Sequence, residues 1–282
     1  MGSHRLLLHL GYPKTGSSTL QHGIWKYLDD CGKLCLKTWR LSDENEPHDM
    51  RPSSRLFQGK RILPKYLDFS DSGLNVLSDE SFTAPVRLRR NNFGVDLVDP
   101  LTFPKLIADQ LAETRIPPSA IRVLVVLRNH ADLLYSQYVE EYNLRKFRGV
   151  DLLYNEEGRL SLEGYEIYRY GVYVQELFQV FGQENVTVLF FESWKENPRQ
   201  FADAVAHLSG ADGALVHGLC QQLNLNAKNR TTKGYKTRDG NTTVPFLSAD
   251  DRMYIRDFFR PDTTELTRLI GKEDQLGLWG YL

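Results

Sequence analysis

The sequence is poor in sulfur: 282 residues carry three cysteines, Cys31, Cys35 and Cys220, and three methionines. Three thiols in a chain this long cannot build a disulfide framework. Cys31 and Cys35 could share a helix face, but two thiols without a nearby His or further Cys make a poor zinc site, so no metal is expected. Such cysteine usage fits a reducing compartment, and a cytoplasmic location is the expectation. An excess of one charge is also missing. Thirty-five Lys and Arg stand against 36 Asp and Glu, a formal net charge of −1. That balance argues against whole-surface attraction to nucleic acid or anionic membrane, leaving room only for a local basic pocket. Apolar runs such as residues 123–127 fall far short of the roughly 20 residues a membrane span needs. The opening Met1-Gly2-Ser3-His4 has no apolar core of a signal peptide and is compatible with an expression remnant.

What is present is ordinary for a globular chain: 41% apolar, 25% charged and 11% aromatic residues, with no internal repeat or low-complexity tract. At this length a fold removes roughly 75% of the unfolded surface from water, and a single domain over residues 1–282 is expected. Residues 6–10 form a short apolar run that ends in Gly11-Tyr12-Pro13-Lys14-Thr15-Gly16-Ser17-Ser18-Thr19. Beyond it Leu20, Ile24, Trp25 and Leu28 recur at helical spacing. Further buried strands are expected at 74–77, 121–127 and 186–191, with helices at 104–114, 131–147, 168–181 and 198–208. Strands without polar alternation, separated by helices, predict a three-layer α/β fold around a central, mostly parallel sheet. Residues 38–73 read as loops and short irregular pieces. Ser248 and Asp251 resemble a capping box that starts a helix stopping at Arg260-Pro261. The polar, Gly-bearing stretch 226–243 reads as a mobile loop.

A strand, a Gly/Ser turn and a helix together make a phosphate cradle. Backbone N–H groups of residues 15–19 face the anion and the helix N-terminus adds a favourable dipole. Lys14 supplies a point charge; Ser17, Ser18 and Thr19 supply hydroxyls. The lysine precedes the glycine, unlike the G-x-x-x-x-G-K-[ST] order of nucleoside triphosphatases. No strand plainly ends in an Asp that would hold magnesium. The strongest other strand ends in Arg128, which repels a metal ion and attracts a second anion.

Pro13-Lys14-Thr15-Gly16-Ser17-Ser18 resembles the 5′-phosphosulfate loop of sulfotransferases that use 3′-phosphoadenosine 5′-phosphosulfate (PAPS). Residues 123–128 followed by Ser136, eight positions after Arg128, resemble that family's 3′-phosphate motif. A strand at 188–192 followed by Asn197-Pro198 and a helix is a third likeness. The resemblance spans about residues 6–210 and is closest in pattern to bacterial carbohydrate and small-molecule sulfotransferases. It implies a P-loop-like sulfotransferase fold, PAPS as sulfuryl donor, 3′-phosphoadenosine 5′-phosphate (PAP) as product, and no metal. It implies cofactor contacts from Lys14, Thr15, Gly16, Ser17, Ser18, Thr19, Arg128 and Ser136. Family members close the adenosine site with a basic, glycine-containing loop, for which Lys233, Gly234 and Tyr235, with Arg230, are the candidates. His130 stands where Pro is frequent and reads as a loop residue; Glu192 reads as structural.

In-line sulfuryl transfer requires a group on the leaving oxygen and a base for the acceptor hydroxyl. The resemblance gives the first role to Lys14. Glu80, at the end of the 74–77 strand, is the first choice as base, with Asp79 and His22 as competitors. His22, Asp79 and Tyr142 are candidate acceptor contacts. The expected acceptor is a hydroxyl of a glycan, glycolipid or small metabolite, and the oligomeric state is left open. The rival readings are a P-loop kinase, which needs magnesium and a strand-end Asp, and a nucleotide-binding protein without turnover.

Overall fold

The computed structural model describes residues 5–38, 47, 50–86, 97–145, 153–155, 157–222, 231–236, 240 and 243–282, with side chains of 141–145 excepted. Five parallel strands form the central sheet: β1 (Leu6–His9), β2 (Leu34–Lys37), β3 (Leu74–Ser78), β4 (Ile121–Leu127) and β5 (Val186–Phe190). Their order is β2-β3-β1-β4-β5, which puts β1 at the centre. His9 at the end of β1 pairs in register with Ser78 of β3 and Leu124 of β4. The carboxyl ends of the central strands therefore meet at one edge.

The strands lack polar alternation because both faces of the sheet are covered. Leu6, Leu8, Leu77, Val123, Val125 and Leu127 belong to one buried cluster, and Leu7, Val76, Leu124 and Val126 to another. Successive side chains of a strand point to opposite faces, so a strand buried twice over must be apolar throughout. The first face packs against α4 (Phe103–Leu111), α5 (His130–Arg145), α6 (Tyr170–Phe181) and α10 (Ala249–Ile270). The second packs against a seven-residue π-helical segment, Thr19–Trp25, and against α8 (Pro198–Ser209) and α9 (Gly213–Gln222). The π segment runs on as α1 (Lys26–Asp30).

Several expectations are corrected. The stretch 38–73 contains α2 (Pro52–Phe57) and α3 (Pro64–Leu67), and the edge strand β2 precedes it, with Leu34 and Leu36 buried on alternate positions. The Ser248–Asp251 capping box is present, but its helix passes through Pro261 and ends at Gly271. A proline inside a helix costs about 3 kcal/mol. Here the buried face Ile255, Phe259, Thr263 and Leu266 continues across it, and Asp262 accepts the amides of Gly171 (2.9 Å) and Val172 (3.0 Å) at the start of α6. Packing and this cap offset the local penalty. Gly171 admits the contact, since a Cβ there would meet the Asp262 carbonyl at 2.5 Å. Within 226–243, Gly234–Lys236 (β6) pairs antiparallel with β7 (Thr243–Pro245), while residues 226–230, 237–239 and 241–242 lie outside the described residues.

His130 is no loop residue. It begins α5, wholly buried, its ring stacked 4.2 Å from Tyr170 and 4.3 Å from Phe259, while Nε2–H donates to the Tyr168 carbonyl at 2.8 Å. Burial lowers its pKa to about 4, and that of buried His9 to about 3. Unfolded histidine protonates near pH 6.5, so below that value the unfolded chain binds more protons than the folded one. Stability therefore falls as the pH is lowered through this window, by about 1.4 kcal/mol per unit for each ring. Urea unfolding should show a loss on the order of 4 kcal/mol between about pH 7.5 and about pH 5, and roughly half of it in His130→Gln. Equal losses in the two proteins would contradict this assignment.

Candidate active site

The carboxyl edge of the sheet is tied together before any loop begins. His9 Nδ1 and Ser78 Oγ are 2.7 Å apart, and the Thr38 hydroxyl donates to the Ser78 carbonyl at 2.7 Å. From β1 the chain enters the loop through Tyr12, whose hydroxyl donates to the Ile167 carbonyl at 2.8 Å. Its ring meets those of Tyr170 and Tyr173 edge-on at 4.9 and 5.7 Å. Thr15 is buried and donates its hydroxyl to the Tyr12 carbonyl at 2.6 Å, so that side chain faces the core. Lys14 and Gly16 both take left-handed backbone conformations, φ 68° and 87°. In that geometry the Lys14 carbonyl accepts from Arg128 Nη1 at 2.8 Å.

The Thr19 and Leu20 amides turn to the Gly16 carbonyl at 2.9 and 3.1 Å. The amides of Gly16, Ser17 and Ser18 precede that ladder, in the position where a helix leaves donors for an anion. Beside them opens a cavity of about 420 Å³. Lys14, Gly16, Ser17, Ser18, Thr19, Arg128 and Ser136 all line it, which brings the two sequence motifs to one place. The remaining wall comes from α7 (Phe191–Glu196) and α9, through Phe191, Trp194, Lys195, Cys220 and Gln221, with Pro198. Among the described residues three cations and no carboxylate line this space, so its field favours an anion.

Arg128 is held for such a task. Its guanidinium lies 4.7 Å over the Phe191 ring, whose other cation, Lys195, is 4.6 Å away. Arg128 Nε is buried without a hydrogen-bond partner among the described residues, a donor left for an anion. Its neighbour Asn129 caps α5, its Oδ1 accepting from the Ala131 amide at 3.0 Å, while its Nδ2 donates to the Trp279 carbonyl at 3.0 Å. Glu192 accepts the Asn129 amide at 3.0 Å and the Tyr281 hydroxyl at 3.1 Å; burial raises its pKa. Glu192 thus secures the turn beneath Arg128, in keeping with a structural role.

The two candidate carboxylates separate cleanly. Asp79 is buried, accepts the amides of Ser81 (2.9 Å) and Ser53 (3.1 Å), and lies 3.6 Å from Arg51 Nε. It caps the short 3₁₀ turn Glu80–Thr83 and is committed to that turn. Glu80 is half-buried and accepts the hydroxyl of Ser17. His22 is exposed on the π-helical segment and does not line the cavity. Tyr142 lies on α5 with its side chain outside the described residues, as is all of Arg230. Lys233, Gly234 and Tyr235 do not line the cavity either. Gly234 packs so closely on β7 that a Cβ would meet the Val244 carbonyl at 1.9 Å, and the Tyr235 ring lies 5.7 Å from Tyr135.

Sequence reading missed Phe191, Trp194 and Lys195, although they directly follow β5, the neighbour of the strand that ends in Arg128. Ligands in open α/β sheets gather at such strand ends, so an aromatic and basic cluster there was a usable signal. It also missed Glu140, 3.5 Å from Lys14 Nζ. Among the described residues no group of three His, Cys, Asp or Glu is placed to hold a metal ion, and no helix is long and apolar enough to cross a membrane.

A sulfotransferase from Alicyclobacillus acidocaldarius has a similar fold: TM-score 0.54 and 16% identity, over 95% of this chain and 96% of that one. Weaker likenesses are a mouse sulfotransferase complexed with PAP (TM-score 0.38, 14% identity, 80% and 68% covered) and a retinol dehydratase in complex with androsterone and inactive cofactor PAP (TM-score 0.41, 11% identity, 95% and 80% covered). No curated protein matches the sequence. The family model for the sulfotransferase domain matches residues 5–261, from the start of β1 to Pro261 in α10, and so takes in the loop, Arg128, Ser136 and the cavity wall. The chain belongs to the sulfotransferase domain family.

Proposed function

We propose that this single-domain chain moves the sulfuryl group of PAPS to an acceptor hydroxyl, on a glycan, glycolipid or small metabolite, with Glu80 as general base. One observation carries the reading: two anion-binding elements more than a hundred residues apart, the 14–19 loop and the Arg128/Ser136 pair, line a single cavity with no carboxylate in its wall among the described residues. The residues fit the donor. Arg128, with its unpaired buried Nε, and Ser136 are suited to the 3′-phosphate, since a guanidinium fork matches phosphate oxygens. The Gly16 to Ser18 amides and Lys14 are suited to the phosphosulfate end. Phe191 and Trp194 offer aromatic wall for a purine. A magnesium nucleotide would call for a carboxylate in that wall, and among the described residues the wall offers cations instead, which favours this reading over a kinase.

The bound donor would supply an activated sulfuryl group on a phosphate leaving group. Lys14 then stabilises negative charge gathering on the leaving oxygen, where a fixed ammonium in a part-buried site acts most strongly. Ser17 orients Glu80 through its hydroxyl, and Glu80 takes the proton from the acceptor O–H as the new S–O bond forms. Glu80 is preferred to Asp79 because the Asp79 oxygens are already held by two backbone amides.

Glu80→Gln should lower turnover on the order of 10²-fold or more while leaving PAP affinity within about 3-fold of wild type. Near-wild-type turnover would remove Glu80 from the role. Lys14→Ala and Arg128→Ala should each weaken PAP binding by about 10-fold or more in calorimetric titration. Unchanged affinity in both would overturn the cofactor site.

A further inference from the structure

The ammonium of Lys14 faces two ways. It lines the anion cavity, yet its Nζ lies 3.5 Å from Glu140 Oε2, and Glu140 is not part of the cavity wall. The two side chains are only 18% and 17% exposed. Glu140 stands four residues after Ser136 on α5, so one face of this helix presents a hydroxyl to the cavity and a carboxylate to the loop lysine. The Lys14 backbone is pinned separately, by its left-handed φ and by Arg128 on its carbonyl. The ion pair is therefore free to act on the side chain alone.

A charge this far withdrawn from water is costly without a partner. Glu140 supplies that partner when no anion occupies the loop. A nucleotide that engages Lys14 must break or weaken this pair; a nucleotide that does not engage Lys14 leaves it intact. We propose that Glu140 is a positioning residue for Lys14, its resident counter-ion, which the 5′-phosphate end of the nucleotide displaces and which reclaims the ammonium as product leaves. Glu140 thereby weakens, selectively, the nucleotides that carry a 5′-phosphate, and speeds their release. The inference rests on the PAPS reading and adds a residue that opposes tight binding.

The test is calorimetric titration of PAP and of adenosine 3′-monophosphate, which lacks the 5′-phosphate, into the full chain. Wild type, Glu140→Gln, Lys14→Ala and the double variant are compared. Glu140→Gln should tighten PAP by about 10-fold, change the 3′-monophosphate by less than about 2-fold, and slow PAP dissociation in proportion. In the Lys14→Ala background the same substitution should have no effect on PAP, the signature of coupling between the two residues. A gain of affinity is not what structural damage produces. Should Glu140→Gln fail to fold, Glu140→Asp, which draws the carboxylate back, is expected to tighten PAP by a smaller factor, and no tightening would count against the proposal. Unchanged or weaker PAP binding in folded Glu140→Gln, or equal tightening of both nucleotides, would overturn it. Failure of wild type to bind either nucleotide would overturn the PAPS reading itself, and this inference with it.

Discussion

The hydrogen bond from Arg128 Nη1 to the Lys14 carbonyl, 2.8 Å long, is the contact on which the site depends. It joins the loop after β1 to the end of β4, positions 114 residues apart that the parallel register already sets side by side. A lysine with φ 68° is unfavourable by roughly 1–2 kcal/mol, and persists only where its surroundings demand it. The left-handed turn aims the Lys14 carbonyl at Arg128 and leaves its side chain on the cavity wall. One bond thus decides where both cations of the two motifs lie.

Behind Arg128 stands a second layer of fixation. Asn129 caps α5 and donates to the carbonyls of Trp279 and Gly280; Glu192 receives Asn129 and Tyr281; Tyr170 donates to the Arg128 carbonyl at 2.9 Å. His130, neutral and stacked between Tyr170 and Phe259, fills the space beneath. Buried hydrogen-bonded groups of this kind are costly to separate, which makes the anion site stiff. Stiffness matters here because sulfuryl transfer has little covalent work for the protein to do beyond holding charges in place.

Much of this was readable from residue order. An unalternating apolar strand running into Pro13-Lys14-Thr15-Gly16 shows its turn locally, and Arg128 with Ser136 sits at a strand end and two helical turns on. The rest depends on contacts that order does not carry. Adjacent Asp79 and Glu80 are equivalent on paper, and only the cap on Ser81 and Ser53 commits the first of them. Glu140 is likewise one more polar position of a helix until α5 is packed against the loop and its carboxylate meets Lys14. Pro261 looked like a stop because the rule for proline is local, whereas the α6 contacts that carry the helix through are not. The Trp194 wall came from a strand neighbour, and Gly234 from hairpin packing against Val244.

The central claim is that this cavity takes a metal-free adenosine bisphosphate in preference to a magnesium nucleotide. Thermal unfolding of the full chain with PAP, and separately with ATP, each with magnesium and with EDTA, tests it most directly. A ligand at about 100 times its dissociation constant stabilises by about 2.7 kcal/mol, a rise on the order of 5 °C for a chain of this size. The account predicts that rise with PAP, undiminished by EDTA, and little change with ATP. A rise with ATP alone, lost on adding EDTA, would contradict it.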